Sequence, residues 1–230
     1  MRISLAVLTA LCSQALAAQV PASSAPSTPT SKQPAIAAGA ATAQPAQIDR
    51  DDIGFSYRLP AGWVFVEPPT APKPVIPYPA LATTTKGDTC VEVAMTAKHG
   101  NPASVIVVTA LPFSCYGQTM TVSDLANVGG GASEGMKQTF DLTEPQQATY
   151  SLGSHTLWIE RAKGTPKTHA ESSFTFEIAC TVLQKGAVCW MTMAADAASL
   201  KDFEQSKVTL EGEPPTALVP ASAFVPNNPS

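Results

Sequence analysis

The sequence predicts an α+β domain, in which one main helix and a short C-terminal helix cover a mostly antiparallel β-sheet. Strand patterns dominate, because apolar and polar residues alternate over many short runs. Several of these runs are joined by short turns into hairpins, which exclude a classical doubly wound parallel sheet. A single long helical stretch separates the early strands from the hairpins. A disordered segment rich in Ala, Pro, Ser and Thr is expected before the domain.

The first half of the domain contains four predicted strands and one irregular connection. Residues 68–79 contain six prolines, which lack the main-chain donor that a central strand needs, so we expect an irregular surface loop there. Residues 104–111 are almost continuously apolar, as in a central strand. In order, the predicted strands are 54–59, 63–66, 89–96 and 104–111.

The main helix is predicted over residues 121–140. Thr121 or Ser123 could cap its first turn, where the carboxylate of Asp124 is favourable. Glycines 129–131 interrupt the helical pattern, and each lowers helix stability by about 1 kcal/mol relative to alanine. We therefore expect a broken or bent helix at this point.

Two hairpins and a short helix follow the main helix. The second hairpin turns at Gln184-Lys185-Gly186 and places alternate apolar residues of its first strand on one face. This order of elements completes the predicted sheet. The predicted hairpin strands are 148–152 with 156–162 and 173–183 with 187–194, followed by a helix at 198–204 and a last strand at 207–210.

The N-terminus has the pattern of a secretory signal peptide. Arg2 precedes an apolar run of about ten residues, and Ala15-Leu16-Ala17 forms an A-x-A site. We predict cleavage after Ala17, with Ala18 as the next choice, and therefore a secreted or periplasmic location. Lipidation at Cys12 is disfavoured, because Leu11 precedes it where a lipoprotein has a small residue.

The remaining chain divides into a linker, a domain and a tail. Residues 18–49 contain five prolines and no aromatic residue, so they cannot bury enough apolar area to fold. The domain is predicted at 50–215 and a loose tail at 216–230. No later apolar run is long enough to span a membrane.

The net charge of −4 argues against nucleic acid as a partner. The alanine-rich composition suggests a bacterial protein.

Residues 55–63, Phe-Ser-Tyr-Arg-Leu-Pro-Ala-Gly-Trp, resemble the opening of the PsbP/Mog1-like proteins. In that superfamily an aromatic-rich strand leads through a proline to Gly-Trp. The order of elements over residues 53–212 is also similar. The resemblance implies an antiparallel sheet covered by helices, and an accessory or scaffolding role without a shared catalytic site. The proline-rich insertion and the cysteines depart from the family pattern, and no functional residue is carried over.

Four cysteines remain after signal cleavage, and three pairings are open to them. A hairpin that turns on residues 184 and 185 places Cys180 opposite Cys189, which favours that bridge, although a turn shifted by one residue would break the pairing. Cys90–Cys115 follows by elimination. Zinc and redox sites are disfavoured because no C-x₂-C pair is present. No cofactor is predicted.

The sharpest enzymatic pattern is G-x-S-x-G around Ser133, the nucleophile elbow of α/β-hydrolases. Asp141 and His155 follow in the correct chain order. The residues before Ser133 are helical in pattern, however, whereas the motif requires a strand there.

The glutamates that fall within predicted strands are expected to face solvent. They are therefore not expected to form the pair of carboxylates that glycoside hydrolysis requires. These residues are Glu92, Glu160 and Glu177.

The remaining candidates are aromatic residues that could bind a partner if they are exposed. They are Trp63, Tyr78, Trp158 and Trp190, although a tryptophan in a strand usually belongs to the core. The histidines are expected at turns or strand ends.

The favoured hypothesis is a non-catalytic accessory module, tethered by its N-terminal segment, that binds a protein or envelope component. The alternatives are a small-molecule carrier with an apolar pocket between helix and sheet, and an exported hydrolase that uses Ser133.

Overall fold

The structure, a computed structural model, describes residues 46–66, 90–168 and 171–224. The predicted signal peptide, most of the predicted linker and the proline-rich stretch 68–79 with Tyr78 lie outside these residues. The elements follow the predicted order and form an α+β domain. The strands are β1 Gln47–Arg50, β2 Phe55–Arg58, β3 Val64–Phe65, β4 Glu92–His99, β5 Ser104–Pro112, β6 Phe140–Leu152, β7 His155–Pro166, β8 Phe174–Val182, β9 Gly186–Ala194, β10 Lys207–Leu210 and β11 Thr216–Ala217; the helices are α1 Phe113–Tyr116, α2 Val122–Met136 and α3 Ala197–Gln205.

The strands form two antiparallel sheets. The larger has the order β3-β4-β5-β9-β8-β7-β6, and the smaller has the order β1-β2-β10-β11. Helix α2 packs on one face of the larger sheet, against β7 and β8. The smaller sheet and α3 cover the opposite face, so the larger sheet has a hydrophobic core on each side. This burial on both faces explains why β5 and β9 are buried along their whole length and mostly apolar in sequence.

The second predicted hairpin forms in the expected register. Cys180 pairs with Cys189, Ile178 with Met191 and Phe176 with Met193. Cys180 and Cys189 are joined by a disulfide across the strands, with their Cα atoms 4.2 Å apart. The second disulfide joins Cys90 to Cys115. It ties Cys90, two residues before β4, to the short helix α1 that follows β5.

Helix α2 is continuous through the three glycines, so the expected break is wrong. Its first turn is closed by Asp124, whose Oδ2 accepts a hydrogen bond from the main-chain N–H of Thr121 at 2.8 Å. Gly129 lies against the ring of Trp158, and a Cβ at this position would lie 1.8 Å from Cζ3 of that ring. The glycine therefore allows the helix to approach the sheet closely, and this packing offsets its low helix propensity.

The folded part extends beyond both of its predicted boundaries. Strand β1 begins at Gln47, inside the predicted linker, and pairs with β2. At the other end β11 pairs with β10, and the side chain of Leu218 is fully buried. Residues 216–224 therefore belong to the domain and not to a loose tail. Composition misled the prediction here, because these few residues gain their order by covering the core.

Candidate partner-binding groove

An open groove of about 640 Å³ lies where the edge of the larger sheet meets the smaller sheet and the end of α3. We call it the Trp63 groove. Most of the segment that resembles the PsbP/Mog1-like opening lines it. The lining residues are Ala46, Arg58, Leu59, Pro60, Ala61, Gly62, Trp63, Val64, Phe65, Asp202, Gln205, Ser206 and Lys207.

The groove owes its shape to the turn between β2 and β3. Alternation in β2 directs Phe55 and Tyr57 into the core, and the chain then reverses through residues 60–62. Gly62 has a φ of +84°, which L residues with a side chain rarely adopt, and a Cβ there would also lie 3.3 Å from the ring of His99. This backbone conformation brings Trp63 back against the sheet.

Trp63 forms a fixed part of the groove wall. Its side chain is only 5% exposed, and its Nε1–H donates to Oδ2 of Asp202 on α3 at 3.4 Å. On the sheet side its ring stacks on His99, with the ring centroids 5.5 Å apart. Contacts from two elements therefore hold the indole in one position, so the wall is formed before any ligand arrives.

The rim of the groove is apolar and belongs to an edge strand. Val64 in β3 and Val66 just after it are 54% and 49% exposed, and among the described residues β3 is the outermost strand of the larger sheet. The N–H of Val66 donates to the carbonyl of Thr96 in β4. Since main-chain groups alternate in direction along a strand, the N–H and C=O of Phe65 point away from β4. These groups can pair with an added strand.

The opposite edge of the same sheet is protected against strand addition. Strand β6 is mostly exposed, but its pairing with β7 shifts between Thr143 and Gln146. Glu144 adopts a φ of +54° inside this bulge, and Pro145 has no N–H to donate. Bulges, prolines and charges are features that block edge-to-edge pairing. The irregularity at residues 143–146 therefore makes this part of β6 a poor template for an incoming strand.

The structure buries all three candidate tryptophans, so none of them presents an exposed ring to a partner. Trp158 is 5% exposed and packs beneath α2. Trp190 is fully buried between the two sheets, where Phe55 approaches its ring edge-on. Of the three, only Trp63 lines the groove. Sequence reasoning missed the exposed valines, whose only signal was their position beside the turn.

The hydrolase triad predicted as an alternative does not assemble. Ser133 is buried within α2, and its hydroxyl donates to Oε1 of Glu160 on β7. His155 lies near Glu211 and Glu213 on the opposite side of the sheet, and Asp141 is exposed on β6. Ser133 is therefore a buried partner of a carboxylate within a helix and not the exposed nucleophile that the G-x-S-x-G motif requires.

Glu160 and Glu177 are buried, which corrects their expected place on the solvent face. Burial is tolerated because each carboxylate is hydrogen-bonded. Besides Ser133, Glu160 accepts from the side-chain amide of Gln147 at 2.6 Å. Glu177 lies on the other face of the sheet and accepts from Nε of Arg161 at 2.6 Å. The two carboxylates thus do not face a common cleft.

Glu177 belongs to a charged cluster that sequence reasoning did not find. Arg161 pairs with both Glu177 and Glu204, and the ring of Phe224 lies 4.3 Å from its guanidinium carbon. Burial raises the pKa of Glu177 to about 7, and the nearby carboxylate of Glu204 adds to the rise, whereas Arg161 opposes it. Oε1 of Glu177 is buried without a hydrogen-bond partner. The cluster joins β7, β8, α3 and the C-terminal segment.

A cavity between α2 and the larger sheet, formed by described residues, is too small for a carried molecule. On the α2 side of the larger sheet, a cavity of about 10 Å³ lies among Met136, Phe176, Ile178 and neighbouring apolar side chains. A single water needs roughly 10–15 Å³, and ligand pockets are far larger, at several hundred Å³. The apolar pocket that a carrier would need is not present among the described residues at that place.

Two features are absent from the described part of the chain. In residues 46–66, 90–168 and 171–224, no three His, Cys, Asp or Glu side chains are grouped to hold a metal ion. Within the same ranges no helix has the length and apolar character needed to cross a bilayer. His99 and His155 lie at strand ends as predicted, and His169 lies outside the described residues.

Comparison with known proteins gives only weak structural likeness. No protein-family model matches the chain, and no curated protein matches it. Among solved structures, it is similar to the solution structure of cyanobacterial PsbP (CyanoP) from Synechocystis sp. PCC 6803. The match covers 69% of this chain and 85% of that one, with a TM-score of 0.40 and 10% identity. The likeness agrees with the PsbP-like resemblance in the sequence but is too weak to bear on function.

Proposed function

We propose that this chain is an exported, non-catalytic accessory module whose folded domain binds a protein partner in the Trp63 groove. The observation that carries the proposal is the groove itself. It combines an open volume of about 640 Å³ with a wall held by Trp63 and an apolar rim at Val64. A preformed concave surface with an apolar rim is suited to binding, because little ordering entropy is lost when the partner arrives.

Two features support export and a binding role. Two disulfides join the four cysteines expected in the mature chain, and disulfides persist in oxidising compartments such as the periplasm or the exterior. Exposed apolar residues at an edge strand suit β-augmentation, in which a partner segment adds one strand to a sheet. Two such residues lie at this edge: Val64 in β3 and Val66 directly after it.

Site-specific photocrosslinking tests the proposal. A benzoylphenylalanine at position 64 places the reactive group on the groove rim. The same residue at position 122 is the matched control, since Val122 is also an exposed valine, at 42%, but lies on α2 across the sheet. Each variant is expressed as the full chain in its native cell and irradiated.

The proposal predicts one recurrent protein adduct from position 64, absent from position 122 and lost when Ala61→Asp places a charge on the groove wall. Equal adducts from both positions would place binding elsewhere or make it nonspecific. If position 64 gives no adduct in repeated trials while the variant remains folded, the groove is not a partner site.

A further inference from the structure

The groove carries two positive charges that face each other across neighbouring strands. Arg58, the last residue of β2, is directly opposite Lys207, the first residue of β10. Both are exposed and both line the groove. Like charges directly opposite each other in an antiparallel pair repel and destabilise it. The arrangement therefore costs stability in the free protein unless an anion lies between the two side chains.

No acidic side chain of the described residues fills that position. Across 46–66, 90–168 and 171–224, no ion pair joins a carboxylate to Arg58 or Lys207. Nε and Nη2 of Arg58 donate instead to the neutral amide oxygen of Gln47, at 3.3 and 3.1 Å. This contact orients the guanidinium and leaves its charge uncompensated.

Asp202, the carboxylate among the groove-lining residues, and Asp49 on β1 have other partners. Asp202 accepts from the indole N–H of Trp63, and Asp49 accepts from the amide of Gln47 at 2.7 Å. Each carboxylate is thereby held beside its own hydrogen-bond donor. The cationic end of the groove, formed by Arg58 and Lys207, remains next to the apolar rim at Val64.

We infer that the partner enters the Trp63 groove as an extended peptide segment with an acidic side chain, whose carboxylate lies between Arg58 and Lys207. This inference rests on the proposed function and names its ligand class. A guanidinium donates two parallel hydrogen bonds to a carboxylate, and the lysine adds a second charge. Apolar side chains of the segment cover Val64, and its main chain pairs with the free edge at Phe65.

Two matched peptide pools test the inference against the ¹⁵N-labelled mature protein. Both pools contain acetylated, amidated eight-residue peptides with Val, Ile or Phe at alternate positions. The positions between them hold Asp or Glu in the acidic pool and Asn or Gln in the neutral pool. Amide chemical shifts of Val64, Phe65 and Arg58 report binding, and the titrations are repeated at two salt concentrations.

We expect the acidic pool to bind at least tenfold more tightly than the neutral pool, and less tightly at the higher salt concentration. Arg58→Gln and Lys207→Gln should each remove most of this preference. Lys201→Gln, which deletes the same charge on α3 outside the groove lining, should keep it. Because the opposed cations repel, Lys207→Gln should not lower the Tm, so lost binding would not reflect unfolding.

The outcomes separate this inference from the proposed function. Equal binding of both pools, unchanged in Arg58→Gln, would overturn the acidic ligand while the groove remained a peptide site. If neither pool binds, the peptide ligand is rejected. The crosslinking experiment alone would then test whether the groove is a partner site. Vesicles of phosphatidylglycerol that bind through the same two cations, with no peptide binding, would replace the peptide by a lipid surface.

Discussion

The ring of Trp158 occupies the space that a side chain at position 129 would need. A Cβ at Gly129 would lie 1.8 Å from Cζ3 of Trp158, whereas a Cβ at Gly130 would meet no atom within 4 Å. Two adjacent glycines of one helix therefore have opposite roles. Gly129 is required by packing against Trp158. Gly130 lowers helix stability, and no close contact requires a glycine at that position.

Substitution by alanine should therefore have opposite signs at these two positions. Gly129→Ala forces the helix away from the sheet, which should lower the free energy of unfolding by about 1–3 kcal/mol despite a better helix propensity. Gly130→Ala should raise it by up to about 1 kcal/mol. Urea denaturation followed by circular dichroism measures both. Equal effects of the two changes would contradict the close contact at Trp158.

Stability should fall as pH rises through the range in which Glu177 titrates. Folding raises the pKa of Glu177 from 4.5 to about 7, so the native state holds this proton more tightly than the unfolded chain. The resulting stabilisation is complete below about pH 4.5 and is lost as pH rises through 7. The difference between the two pKa values corresponds to about 3 kcal/mol.

Glu177→Gln should flatten this profile between pH 5 and 7.5, because the amide does not titrate. The measurement is the free energy of unfolding at each pH for both proteins. Glu134→Gln is the control, since the side chain of Glu134 is 71% exposed. A Glu177→Gln profile parallel to that of the unmodified protein would show that Glu177 stays ionised throughout this range.

Ser133 should matter for stability through its hydrogen bond to Glu160. Ser133→Ala leaves a buried carboxylate oxygen without this donor, which should lower the free energy of unfolding by about 1–3 kcal/mol. Adding Glu160→Gln should recover part of the loss, because a neutral amide is less costly to bury than a carboxylate. Additive losses in the double variant would mean that the two side chains do not interact.

The two disulfides should differ in their contribution to stability. Removing Cys90–Cys115 by paired alanine substitutions should cost about 3.5 kcal/mol in the chain-entropy model, against about 2.7 kcal/mol for the shorter loop closed by Cys180–Cys189. Thermal unfolding of the two double variants tests this order. Peptide mapping without reduction provides an independent check, and free thiols at Cys180 and Cys189 would contradict the pairing.

The sequence by itself determined the features that depend on neighbours along the chain. The turn at Gln184-Lys185 sets the β8–β9 register, and the register brings Cys180 to Cys189. The α+β order was predictable for the same reason, since alternation and helical periodicity are local patterns. The predicted strands 54–59 and 63–66 also left residues 60–62 as their connection, where Gly62 permits the backbone conformation of the turn.

Only the tertiary structure decided what lies against each element. Glu160 and Glu177 read as solvent-facing residues until α2 covered one face of the sheet and α3 the other. Helix α2 supplies Ser133 to Glu160, whereas the partner of Glu177 is Arg161 on the neighbouring strand, which also pairs with Glu204 of α3. Helix α2 continues through its glycines because Trp158 lies beneath Gly129. The Trp63 groove is built from segments more than 130 residues apart, such as Trp63 and Asp202. The free energy of packing between such distant segments cannot be read from a local sequence pattern. At these positions it outweighed the local conformational preference of the residues.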